Sequence, residues 1–117
     1  MGKVIGIVPA SMTLEANERC MQDHYKLGNN YIKRTVEAGG IPFGISPCDN
    51  WVCEEALNLC DAFLVQGGVE FYLYHFQIIH HAVTNGKKYL GVCLGQQLIY
   101  VYFELKRRVE ERGYHGD

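Results

Sequence analysis

Four short apolar runs recur along the chain: Val4-Ile5-Gly6-Ile7-Val8, Ile41-Pro42-Phe43-Gly44-Ile45, Ala62-Phe63-Leu64-Val65 and Tyr89-Leu90-Gly91-Val92. Each is too short for a helix of ordinary length, and each contains glycine or proline or lies within two residues of one. Runs of this kind, apolar on both alternating faces, read as strands buried on both sides of a sheet. The segments between them carry helical spacing instead. Leu27, Tyr31, Ile32 and Val36 form a stripe across residues 24–38, with Lys33, Arg34 and Glu37 facing away and Gly39-Gly40 as the stop. Asp49 or Asn50 is placed to cap a short helix through Glu54, Glu55 and Leu59. Tyr72, Phe76, Ile79 and Val83 define a third helix that Asn85-Gly86 ends. Leu98, Tyr102, Leu105 and Val109 define a fourth over residues 95–112, with Gly113 in the position of a C-terminal cap.

Strands alternating with helices over such short connections specify an α/β chain: three layers, a mostly parallel sheet and helices on both faces. The weakest pattern lies between Ser11 and Asp23, a polar stretch expected to hold a short helical piece begun at Thr13. At 117 residues the chain reads as one domain.

Composition narrows the function. A net charge of −2 supplies no field for nucleic acid or an anionic membrane surface. The one basic cluster, Lys106-Arg107-Arg108, is surrounded by Glu104, Glu110 and Glu111 and reads as a solvated helix face. No apolar run approaches the ~18 residues of a membrane span, and the start passes directly into the first strand without a signal-peptide or myristoylation pattern. The five cysteines (Cys20, Cys48, Cys53, Cys60, Cys93) are odd in number and form no C-x-x-C pair. That pattern argues for reduced thiols in a cytoplasm rather than a disulfide framework or a zinc site. No metal, cofactor, nucleic acid or membrane is expected.

Cys93 stands apart from the other four. Gly91-Val92-Cys93-Leu94-Gly95 reads G-x-C-x-G where a strand turns into a helix, the thiol counterpart of the G-x-S-x-G nucleophile elbow. Reactive groups of parallel α/β sheets gather at the carboxyl ends of strands. Glycines on both flanks allow a sharp turn that a Cβ would obstruct. The amides and partial positive charge of the following helix favour thiolate over thiol. The Leu94 amide is placed to meet an oxyanion, and Gly67-Gly68 after the neighbouring strand offers a second donor. A cysteine on a buried strand is ordinarily a small core side chain. The other four keep that reading, and the two glycines and the strand-to-helix transition remove it from Cys93.

These residues resemble a family. GVCLGQQL (residues 91–98) is similar to the nucleophile motif G-[IV]-C-x-G-x-Q of class I glutamine amidotransferases, and DAFLVQGG (residues 61–68) to their strand and Gly-Gly oxyanion loop. YIKRTVEAGGIPFGISP (residues 31–47) resembles the helix-then-strand segment of the γ-glutamyl hydrolase branch, the peptidase C26 group that includes γ-glutamyl-γ-aminobutyrate hydrolases. The resemblance implies a flavodoxin-like sheet and a small-molecule γ-glutamyl substrate. It also implies that Cys93 attacks the γ-carbonyl to form a thioester, that Gly68 and Leu94 supply the oxyanion amides, and that Gly67 and Gln97 border the substrate. Two departures accompany it. Where many of the hydrolase branch carry an acidic residue and a proline after the Gly-Gly loop, this chain reads Val69-Glu70-Phe71-Tyr72, with Glu70 a candidate substitute. The family's H-x-E segment, which supplies the acid–base His and Glu downstream of the cysteine, is absent from the 24 residues after Cys93. His24, His75, His80, His81 and His115 read as surface or satisfied histidines. Residues 1–117 are therefore expected to be the N-terminal part of such a domain, inactive alone. Two alternatives from other classes remain: a non-catalytic binding or assembly module, self-associating through an exposed sheet edge or apolar helix faces, and, more weakly, a flavin or nucleotide binder.

Overall fold

Strand β1 (Val4–Val8) forms where the first β-branched run predicts it, and Pro9, which has no amide hydrogen to continue a ladder, closes it. The computed structural model describes residues 2–17, 20–66, 72–91 and 94–111; along 11–26 and 94–99 the backbone alone is described. β4 (Ile41–Gly44), β5 (Ala62–Val65) and β6 (Lys88–Gly91) join β1 in one parallel sheet of order β4-β1-β5-β6. Asp61, just before β5, accepts a 2.7 Å hydrogen bond from the Val4 amide and ties the two strands at their start.

The stretch expected to hold a helical piece from Thr13 is instead a ribbon. β2 (Ala10–Asn17) pairs antiparallel with β3 (Cys20–Lys26), from Ala10 opposite Lys26 to Asn17 opposite Cys20. Met12, Leu14 and Ala16 alternate with Ser11, Thr13 and Glu15, a period of two that suits a strand and not a helix. The ribbon also corrects the next boundary. Residues 24–26 belong to β3, and helix α1 (Asn29–Glu37) starts only after Gly28. Its stripe is narrower than expected: Thr35 is buried, and Val36 is 56% exposed.

Neither Asp49 nor Asn50 caps helix α2 (Glu54–Leu59), which starts after Cys53. Both take positive φ, 50° and 65°, at the centre of a tight turn closed by Cys48 and Trp51, whose amides and carbonyls pair at 2.8 and 3.1 Å. Asp and Asn tolerate the left-handed region better than other residues with a Cβ, so the same chemistry serves a turn here.

Helix α3 (Leu73–Thr84) runs between β5 and β6, and helix α4 (Leu94–Glu111) follows β6. The sheet faces divide cleanly. Phe63 and Val65 of β5 join Val8, Tyr74, Ile78 and Ile79 in the main core on the α3 side. Gly6 lies on that side too; a Cβ there would stand 2.8 Å from Cys60 Sγ and 2.9 Å from both Ile45 Cδ1 and Phe63 Cδ1. α4 extends the same layer, with Phe103 beside Tyr89 and Tyr102 against His80. α1 covers the opposite face near β1 and β4, where Thr35 approaches Gly40 and Ile5. Beyond it, Ile5, Ala62, Leu64 and Leu90 floor an open concavity of about 590 Å³ rimmed by Lys3, Arg34 and Lys88.

Candidate functional site

The register of the sheet sets the level at which chemistry can gather. Val8 of β1 stands opposite Val65 of β5, and Val65 stands opposite Gly91 of β6. Three neighbouring strands therefore end side by side, about 5 Å apart in the pairing direction. From that common level the chain leaves as Pro9, as Gln66 and residues 67–71, and as residues 92–93 leading to α4. β1 and β5 also mark the place where strand order reverses, since β4 and β5 lie on opposite sides of β1. Ligands of open α/β sheets bind at such a switch point, outside the carboxyl ends of the strands.

Of the residues singled out by sequence, Leu94 is the first of α4 and Gln97 lies three residues on, in its first turn; only their backbone is described. Gly67, Gly68, Glu70 and Cys93 lie outside the described residues, as does His115. α4 is 18 residues long and has no acidic side chain in its first turn, so no carboxylate of its own opposes the positive end of its dipole.

The histidines of α3 divide by height. His80 Nδ1 pairs with the Tyr102 hydroxyl at 2.9 Å. His81 is buried: Nδ1 meets Glu54 Oε1 at 2.8 Å and Nε2 meets Lys87 Nζ at 3.1 Å. The ammonium can only donate, so Nε2 accepts and the ring proton sits on Nδ1 facing the carboxylate. Lys87 also donates to the Leu57 carbonyl at 2.9 Å. It directly precedes β6, so this linkage joins α2 to α3 at the amino end of the strands, opposite the level of Gly91.

His75 lies in the first turn of α3, at the carboxyl level. Its Nδ1 accepts a 3.0 Å hydrogen bond from the Tyr72 amide, and its ring also bonds the Pro9 carbonyl. With Nδ1 an acceptor, the proton is on Nε2, toward Pro9. Tyr74 stacks on the ring at 4.1 Å and donates its hydroxyl to the same carbonyl at 2.7 Å. Burial pushes His75 down to about 4, outweighing the hydrogen bond to the Pro9 carbonyl that favours its charged form. Both ring nitrogens are engaged, so His75 is a satisfied histidine rather than a free base.

Two polar side chains at this level escape sequence reasoning. Gln66 follows β5, is buried, and accepts a 3.0 Å hydrogen bond from the Gly28 amide through Oε1. Tyr74 lies outside the Tyr72, Phe76, Ile79 and Val83 stripe by which the helix is recognised. A glutamine directly before Gly-Gly carries no signal of its distant partner in the sequence. Among the described residues, no cluster of three His, Cys, Asp or Glu side chains is placed to hold a metal ion, and no helix is long and apolar enough to cross a membrane.

Comparison with known proteins supplies the family. The model for glutamine amidotransferase class-I matches residues 20–117. The imidazole glycerol phosphate synthase subunit HisH of Bacillus subtilis (strain 168) is 33% identical over 85 residues, covering 65% of this chain and 38% of that protein. The HisH subunit of Bacillus velezensis (strain DSM 23117 / BGSC 10A6 / LMG 26770 / FZB42) matches at the same identity and coverage. The chain thus spans 38% of the length of these curated relatives. They are synthase subunits and do not represent the γ-glutamyl hydrolase branch that residues 31–47 resemble. With its parallel sheet, its elbow sequence after β6 and this match over most of its length, the chain belongs to the class-I glutamine amidotransferases.

Proposed function

We propose that Cys93 is the nucleophile that releases the amide nitrogen of glutamine. Its thiolate attacks the side-chain carbonyl, and the oxyanion that forms is met by the amides of Gly68 and Leu94. The amide nitrogen takes a proton and leaves as ammonia, and water then opens the thioester to glutamate. Gly67 and Gln97 border the γ-glutamyl group. The observation that carries this reading is the register of Val65 against Gly91, because it puts the strand ends leading to Gly68 and Cys93 side by side.

The proton transfers fall to no histidine whose side chain is described, since His75, His80 and His81 are all engaged. Residues 1–117 act on this reading as the nucleophile-bearing N-terminal part of the domain, and the His and Glu belong to the rest of the whole protein. The relatives' name, a synthase subunit, favours a protein partner that takes up the nitrogen. A cytoplasmic setting goes with a nucleophile that must stay reduced, and Cys48, Cys53 and Cys60 are free thiols.

The test is ammonia release from glutamine by the whole protein, with and without Cys93→Ala; equal rates sink the nucleophile assignment. The segment 31–47 supports a second reading, hydrolysis of γ-glutamyl amines. Release of amine from such substrates, with glutamine left intact, would select it. The non-catalytic alternative draws support from the apolar floor around Leu90, 63% exposed, at the edge strand β6. It requires the chain to self-associate in solution while Cys93→Ala changes no turnover.

A further inference from the structure

We propose that the groove along the exposed side of α3 binds a primary amine with an apolar body. Glu54 holds the ammonium group near the C-terminal end of the helix, and the body lies against Trp51. The site goes beyond the amide chemistry above and does not depend on Cys93.

The groove has a volume of about 470 Å³ and is bordered by the turn at 48–51, α2, α3 and α4. Trp51, Leu73, Phe76 and Tyr102 supply apolar walls, and Glu54 is the one Asp, Glu, Lys or Arg in its lining. Trp51 is mounted firmly. Its backbone pairs with Cys48 across the turn, and the amide and carbonyl of the next residue, Val52, are both held by the Gln77 side chain. Trp51 nevertheless stays 52% exposed. A large aromatic side chain on a fixed backbone offers a ligand contact area at little cost in conformational entropy.

Negative potential gathers at one end of the groove. Glu54 Oε1 accepts from His81 Nδ1 at 2.8 Å, which orients the carboxylate. The Glu54 side chain still remains 60% exposed, and its Oε2 has no hydrogen-bond partner among the described residues. Asn85 Nδ2 stands 3.3 Å from the same ring nitrogen and donates to the His81 carbonyl at 2.8 Å, so Oδ1 is the end of that amide left to accept. The carboxylate and the carboxamide thus meet at one atom of a buried histidine. Asn85 is also the C-cap of α3, where the helix dipole adds to the negative potential. Lys87 lies on the far side of the His81 ring, committed to Nε2 at 3.1 Å and to the Leu57 carbonyl at 2.9 Å. A whole imidazole separates it from Glu54, and it is not part of the lining.

The chemistry of the ligand follows from these groups. An anion would be repelled by Glu54. A neutral apolar molecule would strip water from Glu54 Oε2 and Asn85 Oδ1 and give them no donor in return. A primary ammonium carries three donors and no acceptor, which suits an end made of acceptors. Its charge is also favoured over an indole face, and its apolar body matches the remaining walls.

Trp51 is the only tryptophan of the chain, so its fluorescence reads occupancy directly. The intact chain is titrated with hexylammonium chloride and with 1-hexanol at constant ionic strength, beside free N-acetyltryptophanamide. Hexylammonium should change Trp51 emission saturably, and hexanol, of the same length but uncharged, should bind about tenfold more weakly. Glu54→Gln keeps an oxygen for His81 Nδ1 and removes the charge. It should weaken hexylammonium about fivefold and leave hexanol unchanged, with thermal unfolding near wild type.

An emission change that rises without saturating, or that matches the free tryptophan analogue, overturns the proposal. Equal affinity for the two hexyl compounds does the same, as does equal affinity of Glu54→Gln and wild type for the amine. Should Glu54→Gln fail to fold, the two hexyl compounds compared on wild type decide.

Discussion

Acidification is expected to weaken the fold through His75. The ordinary imidazole value of 6.5 drops to about 4 in the folded chain because the ring is buried between Tyr74, the Tyr72 amide and the Pro9 carbonyl. A depressed histidine favours the neutral form, so its contribution to stability is present above 6.5. It is lost as pH falls from 6.5 toward 4, where the unfolded chain takes up a proton that the folded chain refuses. At about 1.4 kcal/mol per pH unit, the whole gap is worth about 3 kcal/mol, of which about 2 kcal/mol falls between pH 7 and pH 5. That is a large share of the stability of an ordinary small domain. Urea denaturation of wild type and His75→Phe at pH 7 and pH 5 isolates the effect, because the other titrating groups are common to both proteins. Wild type should lose about 2 kcal/mol more than the variant over this interval. Equal losses would refute the reasoning, as would a proton resonance of the His75 ring that titrates near 6.5.

Three further expectations follow from packing. Gly6→Ala sets a methyl against Cys60, Ile45 and Phe63 at once, all of them buried, and should cost about 1–3 kcal/mol; an unchanged melting temperature would contradict this. Gln77→Met removes a pair of hydrogen bonds, 2.9 Å from the Val52 amide and 2.8 Å to the Val52 carbonyl, and leaves two buried backbone groups unpaired. It should cost about 2–4 kcal/mol and speed hydrogen exchange at the Val52 amide, and protection equal to wild type would count against it. Cys60 is buried, which pushes its thiol up against the lowering effect of Lys87, whereas Cys48 and Cys53 are exposed. Alkylation of the folded chain should therefore reach Cys48 and Cys53 well before Cys60, and the reverse order would show that the Cys60 pocket opens readily.

Where the sequence is legible, the information is local. In β1, Ile5 and Ile7 serve one face and Val4 and Val8 the other, so the run is apolar throughout and needs no distant partner to be recognised. The G-x-C-x-G motif around Cys93 is recognisable in the sequence for a related reason, since its glycines and thiol adjoin the start of α4 in the chain, although residues 92–93 lie outside those described. The misread elements depend on partners elsewhere. Thr13 lies in a strand because Asp23 stands opposite it, and the alternation of Met12, Leu14 and Ala16 is too short to declare itself within a polar stretch. Asp49 and Asn50 suit both a helix cap and a left-handed turn, and the choice is made by Cys48 pairing with Trp51. Gln66 and His75 are the sharpest case. A glutamine before Gly-Gly and a histidine in a first helical turn are unremarkable until Gly28 and Pro9 arrive to hold them. The motif of this family is thus written in contiguous residues, whereas the contacts of Gln66 and Tyr74 at the strand ends join residues about forty and sixty-five positions apart, which the fold alone brings together.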